Sequence, residues 1–176
     1  MNKLYNRDNS KFILREEHNM RNIFVSSTFK DFQEERDTLR NVVLPRLNAI
    51  GSSFGEEYSF TDLRWGVNTL DMNEEESNRE VLSVCFSEID RCAPYMIVLL
   101  GERYGYTPAP SIAQQVLSKY DENVIASIAL PEYAISVTEL EIRYRIAKAN
   151  GDLENVWFYF RESEDECESN TEDSHI

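Results

Sequence analysis

The chain has 176 residues, 41% of them hydrophobic and 28% charged, and a formal net charge of −14 at pH 7. These are the proportions of a soluble globular protein long enough to bury a sizeable core, and so acidic a balance argues against nucleic-acid binding, which needs a basic stripe. No apolar run approaches the ~20 residues that span a bilayer, and residues 1–20 lack the apolar core of a signal peptide, so a cytoplasmic location is expected.

Three cysteines, Cys85, Cys92 and Cys167, suit a reducing compartment. The two histidines, His18 and His175, lie near the ends, and no Cys/His spacing matches a zinc site. No metal, no cofactor and no cysteine–histidine nucleophile is expected.

Residues 1–20 form a polar, weakly patterned N-terminal extension. "NIFVSS" (22–27) opens the first strand. Thr28 with Asp31 resembles a helix-capping box, and the helix behind it places Phe32, Leu39, Val42, Val43 and Leu47 on one face. Pro45 is expected to kink this helix and Gly51 to end it. "EYSFTDLRW" (57–65) alternates as a second strand, and "GVNTLDMNEEE" is a loop. Ser77 with Glu80 fits an S-x-x-E capping box for a helix carrying Val81, Leu82, Cys85, Ile89 and Cys92, where the two cysteines are core residues.

"YMIVLLG" (95–101) is continuously apolar, as a central parallel strand is. A short helix over 111–120 and an irregular insertion to about 134 follow. Ser136 and Glu139 form a third capping box, leading a helix that buries Leu140, Tyr144 and Ala147 and stops at Gly151. "NVWFYFR" (155–161) is the fourth strand. Residues 163–176 form an acidic linker or tail: from Glu162 onward the chain carries seven acids and no Lys or Arg.

The alternation β-α-β-α-β-α-β predicts an α/β, flavodoxin-like three-layer sandwich over residues 21–162, with a parallel sheet in the order 2-1-3-4. A fifth strand, usual in that fold, is not found. In this order a ligand belongs outside the carboxyl ends of the strands, where the order reverses. The residues delivered there are Ser26, Ser27 and Thr28, then Asp62, Arg64 and Trp65, then Gly101, Glu102, Arg103, Tyr104 and Gly105, and finally Ser136 and Glu141. Each has a plain structural use as well. Thr28 serves as a helix cap, Ser26 and Ser27 as small packing residues, and Trp65 as a cover for the sheet edge. Arg64 and Arg103 either pair with Asp62 and Glu102 or hold a phosphate. No glycine-rich phosphate loop follows the first strand, which argues against Rossmann and P-loop nucleotide chemistry. Glu139 has a capping role, whereas Glu141 has none and borders the buried face. A carboxylate at a cleft suits cleavage of a glycosidic bond, because it stabilises a ribosyl cation.

The stretches "IFVSSTFKDFQEERDTLRNVVLPRL", "DLRWGV", "CFSEIDRCAPYMIVLLGERYGYTP", "SVTELE" and "FYFRE" together resemble a domain of unknown function. That domain lies near the N-terminus of large NACHT-containing STAND proteins, of the telomerase-associated and NACHT/WD-repeat types and in bacteria. The resemblance covers about residues 20–162. It implies kinship with TIR and nucleoside deoxyribosyltransferase domains. By that resemblance the catalytic glutamate of NAD-cleaving TIR enzymes falls on Glu141, with Glu139 as the rival. Ser136-Val137-Thr138 stand where TIR enzymes carry a tryptophan and a cysteine, and a large insertion precedes the helix.

Two functions follow as expectations. One is a signalling or interaction module working through protein partners or self-association within a parent NACHT assembly. The other is an enzyme that takes NAD, or a related nucleotide, as substrate and becomes active on assembly.

Overall fold

A computed structural model describes residues 19–28, 30–63 and 73–162. The strands are β1 (Asn19–Ser26), β2 (Glu56–Thr61), β3 (Met96–Leu100) and β4 (Val156–Phe160). They pair in the order β2-β1-β3-β4, parallel throughout. This is the α/β, flavodoxin-like order expected from the alternation of elements, with β1 and β3 central and β2 at an edge. Ile23 to Val25 and Met96 to Leu99 are buried on both faces of the sheet, and only a covered parallel strand can hold so unbroken an apolar run.

Each face has its own core. Phe24, Met96, Val98 and Val156 point into the larger one. It is closed by α3 (Glu74–Cys92), α4 (Pro110–Leu117), α5 (Glu122–Ile128) and α6 (Val137–Lys148). At its centre Phe86 stacks on Tyr144 at 4.5 Å, and Tyr120 meets both rings edge-on. Ile23, Val25, Ile97 and Leu99 point the other way. They pack beneath α1 (Gln33–Thr38) and α2 (Leu44–Gly51), which are joined by a π-helical turn at Leu39–Val43.

That turn corrects the expected helix face. Phe32, Leu39 and Leu47 reach the core, but Val42 and Val43 are exposed. Pro45 has no amide to return to Asn41, and the wider turn just before it takes up the mismatch while rotating the valines outward. Gly51 does not end the helix through a left-handed conformation, because its φ is −60°; Gly55 does that, at φ 70°. Gly51 is needed for space instead, since a Cβ there would sit 2.7 Å from the Tyr58 ring.

None of the three expected capping boxes forms in full: the Glu139 carboxylate goes to Tyr104 and Arg143 instead of the Ser136 amide. Thr28 Oγ1 donates to Asp31 Oδ2 rather than capping α1, whose first turn follows Phe32 in a left-handed conformation. For α3 the box is Asn73–Glu76, not Ser77–Glu80, and Ser77 lies inside the helix. Asparagine caps as well as serine does, so the helix starts one turn earlier. Ser136 does cap α6 by accepting the Glu139 amide at 3.1 Å. The expected irregular insertion contains α5, a helix capped by Asp121. Gly151 takes φ 84° just past the end of α6 and returns its amide to Ile146.

Candidate functional site

Ser26 ends β1 on the same face as Phe24, so its hydroxyl points toward α3 and α6. On α6 the inward positions run Val137, Leu140, Glu141 and Tyr144, the i, i+3, i+4, i+7 spacing of a buried stripe. This phase carries Glu141 inward. Its side chain is only 6% exposed, so it lies at the floor of a cleft rather than on the rim. Ser26 Oγ donates to Glu141 Oε2 at 2.5 Å, and the Cys85 thiol of α3 donates to the same carboxylate.

Burial pushes the Glu141 carboxyl up to about 7, against the opposing hydrogen bonds from Ser26 and Cys85 and the positive charge of Arg36. Burial likewise raises the Cys85 thiol, so it stays protonated and acts as a donor. A carboxylate whose proton leaves near neutrality, inside a cleft, has the electrostatics of functional sites.

The other half of the site is built on Arg36, 3% exposed on α1. Its Nη1 donates to Asp62 Oδ1 at 2.7 Å, its Nε to Ser27 Oγ at 2.8 Å and its Nη2 to the Ser27 carbonyl at 3.0 Å. One guanidinium thus ties the loop after β1 to the end of β2. Thr28 is fastened to Asp31, and Asp31 pairs with Arg103 at 3.0 Å. Gly105 passes so close that a Cβ would lie 3.0 Å from Thr28 Cγ2, and its φ of 92° also suits glycine.

Between these parts lies a cavity of about 190 Å³. Ser27, Thr28, Arg36, Asp62, Thr138 and Glu141 are among its polar lining, and Leu63, Val81 and Val137 among its apolar walls. Drug-sized ligands fill pockets of roughly 300–1,000 Å³, so this cavity suits a sugar-sized group.

Of the residues expected at the switch point, Ser26, Ser27, Thr28, Asp62, Gly105 and Glu141 come together. Ser136 is buried as the cap of α6. Gly101 instead faces the Phe32 ring, and Arg103 is exposed and held by Asp31 rather than Glu102. The Tyr104 hydroxyl donates to Glu139, which also pairs with Arg143 at 2.7 Å. Glu139 does not line the cavity, and the Tyr104 hydroxyl, with Arg143, holds its carboxyl below the usual range. Arg64 and Trp65 lie outside the described residues.

Sequence reasoning missed the roles of Arg36 and Cys85. The signal for Arg36 was its place four residues after Phe32 and three before Leu39, a charged residue in phase with a buried stripe. Among the described residues no group of three or more His, Cys, Asp or Glu is placed to hold a metal, and no helix is long and apolar enough to cross a membrane.

Residues 22–175 match the family described as Domain of unknown function (DUF4062). The chain belongs to this family. It is 34% identical over 145 residues to a TPR repeat-containing protein of Dictyostelium discoideum, covering 80% of this chain and 8% of that protein. It is 41% identical over 100 residues to telomerase protein component 1 of Rattus norvegicus, covering 55% of this chain and 4% of that protein. It is 29% identical over 92 residues to NACHT and WD repeat domain-containing protein 2 of Mus musculus, covering 50% of this chain and 5% of that protein. The chain thus corresponds to a small part of much longer relatives. No solved structure matches it.

Proposed function

We propose that the chain is a signalling or effector module of a longer, NACHT-type STAND protein, with TIR-like chemistry. Its effector step is hydrolysis of the N-glycosidic bond of NAD or a related nucleotide. The observation that carries this reading is the buried Glu141, held from behind by Ser26, on the floor of a sugar-sized cavity at the switch point of the sheet.

The leaving base departs with the electron pair of the glycosidic bond, positive charge develops on the ribose, and water adds to the sugar and gives up a proton to the solvent. Nicotinamide leaves as a neutral molecule, so the step needs little help from an acid. What it needs is negative charge beside C1 and O4 of the ribose, and Glu141 supplies it once ionised. The Ser26 hydroxyl holds that carboxylate in place, and Arg36 fixes the Ser27 loop and Asp62 around the sugar.

The test is nicotinamide release from NAD by the chain, alone, at concentrations that favour self-association, and within its parent assembly. Release is expected to rise with pH through about 7, as Glu141 ionises. It is expected to fall by about 10²–10³ in Glu141→Gln, the usual loss for one electrostatic contact made in the transition state. Equal release by wild type and Glu141→Gln moves the activity elsewhere, and no release even in the parent assembly removes the hydrolase reading.

A module that works by docking other polypeptides is the second reading. It is favoured by a separate feature, the aromatic pair on one face of β4, where Trp157 and Tyr159 are 42% and 57% exposed.

A further inference from the structure

The two faces of the sheet are covered unequally. Strands lie about 4.8 Å apart and packed helices 8–10 Å apart, so one helix roofs about two strands. Four strands therefore need two helices on each face. The face carrying Phe24 and Val98 has α3, α4 and α6. Among the described residues, the opposite face has only the α1–α2 rod, and its α2 end packs on β2, where Asn48 pairs with the Tyr58 backbone. The place over β3 and β4 has no helix among the described residues.

What lies there is a groove of about 490 Å³. The nearly buried Ile97 and Leu99 lie at its floor, Tyr159 forms one wall, and Leu39 and Phe32 the other. In register, Ile97 pairs with Trp157 and Leu99 with Tyr159, so the apolar strip continues along β4 to Trp157, whose ring stacks on Tyr95. The α1 lip is acidic, with Glu34 and Glu35, and at one end Arg161 pairs with Glu35 and lies over the Phe32 ring at 4.2 Å.

From this geometry we infer that the groove between α1 and β4 docks an amphipathic helix of a partner polypeptide, with its apolar stripe on the exposed rings of Trp157 and Tyr159 and a basic flank along Glu34. The inference rests on the docking-module reading and is independent of chemistry at Glu141. A five-residue strand runs about 17 Å, which is three helical turns, so apolar residues at i, i+3, i+4 and i+7 follow the strand. A second copy of this chain is a poor occupant, because each copy brings a net charge of −14.

The probe is a synthetic 16-residue peptide with leucine at that spacing and lysine along one flank, titrated into the full chain. A scrambled peptide and a glutamate-flanked one are the controls. The lysine-flanked helix alone is expected to bind and to perturb Trp157 fluorescence. Tyr159→Lys is expected to weaken it at least ten-fold. Glu34→Lys is expected to weaken it about five-fold and to strengthen the glutamate-flanked peptide. Unchanged far-ultraviolet circular dichroism checks that both variants fold.

Helix binding that ignores Tyr159→Lys overturns the groove but leaves a docking module, whereas no helix binding at all overturns both. A dimer in sedimentation that Tyr159→Lys dissolves makes a second copy the occupant and overturns the inference. So does a cross-link from benzoylphenylalanine in place of Tyr159 to residues 1–18 or 163–176 of the same chain.

Discussion

Glu141→Gln tests the electrostatics of the cleft without any substrate. The native carboxyl holds its proton up to about pH 7, whereas an ordinary one releases it near 4.5. Between those values the folded chain binds a proton that the unfolded chain does not, so raising the pH disfavours the fold across that interval. Above pH 7 the accumulated loss is roughly 3 kcal/mol, at 1.36 kcal/mol for each pH unit between the two values. The group is almost wholly buried, so solvent screening takes little from that figure. Glutamine copies the protonated acid in shape and polarity, and its carbonyl still accepts from Ser26. The two proteins should therefore melt close together near pH 4.5. By pH 8 the variant should melt higher by about 6–12 °C, at the 2–4 °C per kcal/mol typical of a chain this size. Differential scanning calorimetry over pH 4.5–8 measures the gap. A gap that does not grow with pH, or a variant that melts lower at pH 8, refutes the reasoning. The expected pattern is a stability–activity trade-off, in which the charge that serves the proposed reaction weakens the fold.

Arg36→Met leaves Asp62 and the Ser27 loop without their buried cation, and a loss of about 3–5 kcal/mol is expected in urea unfolding; a loss below 1 kcal/mol means the loop holds itself. Gly51→Ala puts a Cβ 2.7 Å from Tyr58 and 2.8 Å from the Glu56 carbonyl, so a cost of about 1–3 kcal/mol is expected by the same measurement, although alanine favours helix there. Glu139→Gln breaks partly exposed contacts with Arg143 and Tyr104, and it should cost about 1 kcal/mol or less with little change in nicotinamide release, in contrast to Glu141→Gln.

Periodicity and apolar content alone determined the fold class of this chain. An apolar run such as Met96–Leu99 fits only a strand covered on both faces, and amphipathic stretches between the strands force parallel crossovers. That order in turn brings Ser26, Asp62 and Glu141 to one end of the sheet. Local chemistry was less decisive. Asn73 and Ser77 offer nearly equal caps, and the folded chain uses Asn73, which closes a reciprocal box with Glu76. Pro45 announces a distortion in the sequence, but only packing shows that the helix widens before it and turns Val42 and Val43 outward. The Arg36–Asp62–Ser27 tie joins residues up to 35 positions apart through side chains that local propensity treats as solvated. Burial of Glu141 and its late deprotonation depend on Ser26 and Cys85 arriving from other elements. Among the described residues, the groove beside β4 is left because one helical rod roofs about two of the four strands. These features are set by tertiary structure, because each depends on the distance between elements far apart in the chain.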